Sequence, residues 1–182
     1  MLKKILGIMF VFAVVTSIAY AGEFKLTSSS IDKVLTEKQV YNGFGCSGKN
    51  ISPALQWRGA PKGTMSYAVT VYDPDAPTGS GWWHWLVYNI PANVTELPEG
   101  AGDVSGKMLP EGAVHGRTDF GTKAFGGACP PEGHKPHRYI FTVFALKVGK
   151  IDLPADATAA LIGYMLNANA LEKASFTATY GR

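Results

Sequence analysis

Apolar and polar positions alternate along most of this chain. Ser66–Asp73 sets Tyr67, Val69 and Val71 against Ala68, Thr70 and Tyr72, with Gly63 before it and Pro74 after it. A period of two between turn formers predicts a strand, and apolar residues on both faces predict a central, buried one. Residues 83–90, stopped by Pro91, and His137–Leu146, stopped by Gly149, read the same way and are rich in aromatic and β-branched side chains. Shorter alternations predict an opening strand over 24–28, a resumption at Leu55 and Trp57, and a closing strand over 175–180 in which Phe176, Ala178 and Tyr180 share a face. Between them, residues 29–38 are polar, with brief packing expected at Ile31, Val34 and Leu35. Residues 42–50 are too rich in Gly and Asn for the interior of a regular element.

One segment changes period. From Asp156 as N-cap, two residues beyond Pro154, apolar side chains fall at Ala157, Ala160, Leu161, Tyr164, Met165 and Ala168. That spacing predicts a helix lying on the sheet through this face. The expected class is therefore mostly β with a peripheral C-terminal helix.

Composition narrows the organisation. With 182 residues, 46% hydrophobic and 17% charged, the chain can build one packed domain, and it has neither the repeats nor the bias of a fibrous or disordered protein. Its start is different in kind. Lys3 and Lys4 precede an apolar run over 5–18, and Ala19-Tyr20-Ala21 forms a small-x-small cleavage site, the pattern of a secretory signal peptide cut after Ala21. The expectation is a leader over 1–21 and a single domain over 22–182, periplasmic or secreted, with no stable membrane insertion once the leader is removed.

The chain carries 17 basic and 14 acidic residues, and without Lys3 and Lys4 the balance is 15 to 14. A near-neutral surface without a basic run argues against a nucleic-acid partner. Export places Cys46 and Cys129, the only two cysteines, in an oxidising compartment, where a disulfide between them is expected. Two buried free thiols, or one reactive thiol, are the alternatives.

Candidate chemistry gathers in two stretches. In the first, Asp73-Pro74-Asp75-Ala76-Pro77 closes a buried strand, and His84 follows at the start of the next. Two prolines stiffen a turn that carries two carboxylates, as a positioned site requires. A strict period of two puts His84 on the face of Leu86, Tyr88 and Ile90, with Trp82 beside it and with Trp83 and Trp85 opposite, in the core. A core histidine bonded to Asp73 or Asp75 is the plain structural reading.

In the second stretch, Cys129-Pro130-Pro131 and Gly133-His134 feed a strand on which His137 and Tyr139 share a face with Phe141 and Val143. If the two strand starts are neighbours, Asp73, His84, His137 and Tyr139 meet at one rim. Two imidazoles and a phenol suit an anion, while a carboxylate suits an ammonium or fixes a histidine tautomer. His134-x-x-His137 near Cys129 has zinc-like ingredients, but oxidation removes the thiolate, so no metal is expected. Ser80 lacks the Gly-x-Ser-x-Gly elbow of a nucleophile. Arg117 and Asp119 read as a surface ion pair.

These motifs carry a resemblance. Asp73-Pro74-Asp75-Ala76-Pro77, Trp82-Trp83-His84, Pro130-Pro131 with Gly133, and His137-Arg138-Tyr139 resemble the phosphatidylethanolamine-binding protein family, in particular its exported bacterial Raf kinase inhibitor-like branch. Gly43-Phe44-Gly45-Cys46, Asn50-x-Ser52-Pro53, Asn89-Ile90-Pro91 and Gly163-Tyr164-Met165 are also similar to that branch. The resemblance implies a large antiparallel sheet packed on a smaller one, Greek-key-like, with a C-terminal helix. It implies a ligand pocket formed by Asp73, Trp82, His84, Pro130, Pro131, His137 and Tyr139. Trp83 and Cys129 stand where animal members carry a histidine and a glycine.

The resemblance further implies a binder of small anionic or phosphorylated ligands rather than an enzyme, with no cofactor and no catalytic residues, acting as a modulator of a partner enzyme. The competing readings are a protein-contact inhibitor of a protease or kinase-pathway enzyme, and a hydrolase using His84 and Asp73 as acid and base. A homodimer is left open.

Overall fold

The computed structural model describes residues 22–182, so the leader expected over 1–21 lies outside the described residues. In chain order the elements are β1 (Lys25–Thr27), β2 (Asn42–Gly43), β3 (Cys46–Ser47), β4 (Leu55–Arg58), β5 (Ser66–Asp73), β6 (Trp82–Pro91), β7 (Glu96–Leu97), β8 (Val114–His115), β9 (His137–Leu146), α1 (Ala159–Asn169) and β10 (Ala170–Tyr180). The alternating segments are the long strands. Within 42–50 the chain folds back on itself as the two-residue pair β2–β3, a hairpin too short for any periodic signal.

Five strands form one antiparallel sheet in the order β10-β9-β5-β6-β8, and β1-β4-β7 form a smaller antiparallel sheet. Hairpin-connected β5 and β6 and edge strand β8 are followed by a return to β9 on the far side of β5, which is the 4-1-2-3 order of a Greek key. The large sheet is covered on both faces. On one, Tyr67, Val69, Val71, Phe141 and Val143 meet Leu26, Leu55 and Trp57 of the small sheet. On the other, Ala68, Leu86, Tyr88 and Phe144 meet Ile162 and Leu166 of the helix. That double cover explains why β5, third of five, is apolar on both faces. Phe176 of β10 stacks on Phe141 with ring centroids 4.9 Å apart.

Two local expectations are corrected. The helix begins later than Asp156, with Thr158 as N-cap accepting from Leu161 N at 3.2 Å. Its buried face is Ala159, Ile162, Gly163 and Leu166, while Leu161 and Tyr164 are 40% and 69% exposed. Ala159-Ala160-Leu161-Ile162-Gly163-Tyr164-Met165-Leu166 is apolar around its whole circumference, so two stripes satisfy helical spacing and only contact with the sheet chooses between them. In the 29–38 stretch, Ile31 and Leu35 pack as expected, but Val34 stands exposed.

Candidate functional site

The ends of three adjacent strands build one pocket. β5 lies between β6 and β9, so the starts of β6 and β9 are not direct neighbours; they flank the end of β5, which delivers Asp73 between them. Asp73 is buried, and its Oδ1 accepts from the backbone N–H of Asp75 at 2.7 Å and of Ala76 at 3.1 Å. This turn holds the carboxylate still and leaves Oδ2 to accept from His137 Nδ1 at 2.7 Å. Asp75 points outward instead. Its carboxylate accepts from Arg138 Nε at 2.9 Å, Nη2 at 2.7 Å and the backbone N–H at 2.9 Å. The guanidinium holds the Asp75 carboxyl down to about 2. The two carboxylates thus grip consecutive residues of β9, one buried and one exposed, and lock the loop after β5 onto the β9 start.

His84 is aimed by a break in the strand. Val71 pairs with Trp85 while Tyr72 pairs with Trp83, so β6 advances two residues where β5 advances one. His84 is the additional residue of a β-bulge, and the bulge resets the alternation. Trp85 and Val87 therefore enter the core between the sheets, whereas Leu86, Tyr88 and Trp83 face the helix. This corrects the expectation that His84 shares a face with Leu86 and Tyr88 and that Trp83 and Trp85 lie together. His84 turns to Tyr139, with ring centroids 5.1 Å apart, and to Phe120 at 5.3 Å.

The partner of His84 is Gly126, not a carboxylate. Its Nδ1 lies 2.7 Å from the Gly126 carbonyl, which can only accept, so Nδ1 carries the proton and Nε2 of the neutral ring holds a lone pair. A side chain at Gly126 would collide with the Phe120 ring, and one at Gly127 with the Gln39 carbonyl, so the glycine pair permits this approach. Burial pushes the His84 pKa below its ordinary value. Burial, reinforced by the Asp73 charge, pushes the Tyr139 phenol up. The Tyr139 hydroxyl is buried and has no hydrogen-bond partner among the described residues.

All seven expected residues, Asp73, Trp82, His84, Pro130, Pro131, His137 and Tyr139, line this one cavity of about 170 Å³. Drug-sized ligands occupy roughly 300–1,000 Å³, so the space suits a small group. Sequence reasoning missed Phe120 and Phe44 as walls. Phe120 packs edge-on to Trp82 at 5.5 Å and stacks with Phe44 at 5.8 Å. An aromatic residue in a glycine-bracketed loop was the available signal for Phe120. Phe44 is carried by the β2–β3 hairpin, which the Cys46–Cys129 disulfide ties to the Pro130 wall. Arg182 adds a clip that no motif announced. Its Nε donates to the Pro130 carbonyl at 2.7 Å and its Nη1 to the Gly45 carbonyl at 3.1 Å.

One other expectation, the Arg117–Asp119 ion pair, resolves differently. Asp119 accepts from the Trp83 backbone N–H at 2.8 Å, and among the described residues it forms no ion pair with Arg117. Ser80 is exposed, and its carbonyl accepts from the Tyr72 hydroxyl. Among the described residues no group of three or more His, Cys, Asp or Glu side chains is placed to hold a metal ion.

The comparisons with known proteins agree with this architecture. A family model described as phosphatidylethanolamine-binding protein matches residues 30–181. The chain is 56% identical over 179 residues to the UPF0098 protein YbcL of Escherichia coli K12, covering 97% of this chain and 98% of that one. The crystal structure of E. coli YbcL, described as a new member of the mammalian PEBP family, superposes with a TM-score of 0.85 at 57% identity, covering 88% of this chain and 99% of that one. The homologue CT736 from Chlamydia trachomatis superposes with a TM-score of 0.71 at 28% identity, covering 87% and 97%. The chain belongs to the phosphatidylethanolamine-binding protein family.

Proposed function

We propose that this protein is exported and holds a small phosphate-like anion, free or as part of a phosphorylated head group, in the Asp73–His84–Tyr139 pocket. The observation that carries this reading is a small cavity lined by His84, His137 and Tyr139, beside which the buried Tyr139 hydroxyl has no acceptor among the described residues. A buried hydroxyl left unpaired costs about 1–3 kcal/mol, which an anionic oxygen would recover. The name of the family points to the same ligand class. Export is supported by the leader pattern over 1–21.

His84 gives the site its pH sense. With Nδ1 committed to Gly126, Nε2 receives a proton from a monoanionic phosphate or, once protonated, donates to a dianion. Either way the complex contains one proton more than the empty, neutral pocket with a dianion. Affinity for the dianion therefore rises as pH falls. The Asp73 oxygens are engaged by two backbone donors and His137, so Asp73 acts on the site through its charge, which favours the protonated form of His84.

The test is a titration of isotopically labelled protein with inorganic phosphate and with phosphoethanolamine, following amide shifts at pH 6 and pH 7.5. Saturable shifts confined to the 73–85 and 126–139 segments, with tighter binding at pH 6, are expected. Tighter binding of phosphoethanolamine than phosphate would assign the amine a role. An absence of shifts with both ligands would refute the reading.

A further inference from the structure

His137 has both ring nitrogens engaged, and the second engagement leads out of the pocket. Nδ1 faces the buried Asp73 carboxylate at 2.7 Å and so carries a proton, which leaves Nε2 as the nitrogen able to accept or to ligate. That nitrogen lies 3.2 Å from Nδ1 of His134, with the ring centroids 5.5 Å apart. A single shared proton holds two neutral imidazoles at this distance. The separation is also compatible with a bridging metal ion, because two nitrogens bound at about 2.05 Å in tetrahedral geometry lie about 3.3 Å apart.

Two further observations favour an ion. Histidines that bind metals commonly donate their other ring N–H to a carboxylate, which fixes the tautomer and makes the ligating nitrogen more basic. Asp73 stands in that relation to His137, and its own position is fixed by the Asp75 and Ala76 backbone N–H groups. Exposed His134 lies in an open hollow with Asp75, Lys135, Pro136, His137 and Arg138, where an ion can enter and keep water ligands. The Arg138 charge there is matched by its bidentate contact with Asp75.

We propose that His134 and His137 form an exchangeable two-histidine site for a divalent transition-metal ion, completed by water. The donor set selects the ion. Both thiolates are consumed in the disulfide, which removes the preference for soft ions, and the Asp75 carboxylate is held by Arg138, which disfavours Mg²⁺ and Ca²⁺. Neutral imidazole suits Zn²⁺, Cu²⁺ and Ni²⁺. The site is open, unlike a closed structural zinc site, and although it shares Asp73 and His137 with the anion pocket it uses neither His84 nor the Tyr139 hydroxyl, so its failure and that of the anion reading are distinguishable.

Calorimetric titration of tag-free protein with Zn²⁺ and with Cu²⁺ tests the proposal, together with long-range ring-¹⁵N spectra in Zn²⁺. The expected result is one equivalent of saturable binding, with ring shifts at His134 and His137 and none at His84 or His115. His134→Ala, a change at an exposed position, should weaken binding by at least about tenfold, since even outer-shell partners of metal ligands are worth 10–100-fold. Unchanged circular dichroism would show that this variant stays folded. Absence of saturable binding at millimolar metal, equal affinity in His134→Ala, or ring shifts centred on another histidine would each overturn it.

Discussion

Replacing Tyr139 with phenylalanine removes one oxygen and leaves the ring, which packs in the core edge-on to the His84 ring. That oxygen is buried and unpartnered among the described residues. Removing it eliminates an unmet donor whose burial costs about 1–3 kcal/mol. Tyr139→Phe should therefore be more stable than the parent by about 1 kcal/mol, a rise of about 2–4 °C in Tm for a chain of this length. Ligand binding should move the other way. A hydrogen bond to a charged group contributes about 1.5–3 kcal/mol, so the same substitution should weaken phosphate binding by about 10- to 150-fold. Urea denaturation with and without saturating phosphate measures both quantities on one sample. The stability gap should favour the variant without phosphate and close or reverse with it. A variant that is destabilised without ligand, or that binds phosphate as tightly as the parent, would refute the assignment of Tyr139 as the unmet donor of the pocket.

Three further outcomes follow from the geometry. Burial holds the His84 pKa below its ordinary value of about 6.5, so the unfolded chain takes up a proton that the folded one refuses. The stability contribution of the neutral ring is complete above about pH 6.5 and is lost as pH falls toward the lowered folded value; the stability of His84→Asn should fall less steeply with pH over that window, and identical slopes in urea denaturation would sink the assignment. On the helix, Ile162→Ala should cost about 2–5 kcal/mol and Leu161→Ala less than about 0.5, and chemical denaturation giving equal losses would mean the buried face is misassigned. The disulfide closes a loop of 83 positions, for which chain entropy sets a ceiling of about 4.5 kcal/mol. Cys46→Ala/Cys129→Ala should lose about 3 kcal/mol by the same method, and a loss below about 1 would mean the hairpin is held by its backbone bonds and the Arg182 clip without the disulfide.

Much of the architecture was already legible along the chain. The alternation in Ser66–Asp73 and His137–Leu146 located both strands to the residue, because the pleat imposes its period locally and Pro74 and Gly149 end it locally. The rigid Asp73–Pro77 turn and the Pro130-Pro131 wall likewise announced where side chains are held in place. Only the tertiary structure decided which way those side chains point and what they meet. His84 turns to the pocket because β6 carries an extra residue between the partners of Val71 and Tyr72, a mismatch that exists only when the two strands lie side by side. The helix shows Ile162 to the sheet rather than Leu161 because an all-round apolar helix takes its inner face from what it packs against. Asp73 chose His137 over His84, and Tyr139 was left without an acceptor, through atomic distances between segments more than 60 residues apart. Periodicity is a property of neighbours in sequence, whereas sidedness, partners and unmet donors arise only where distant segments come into contact.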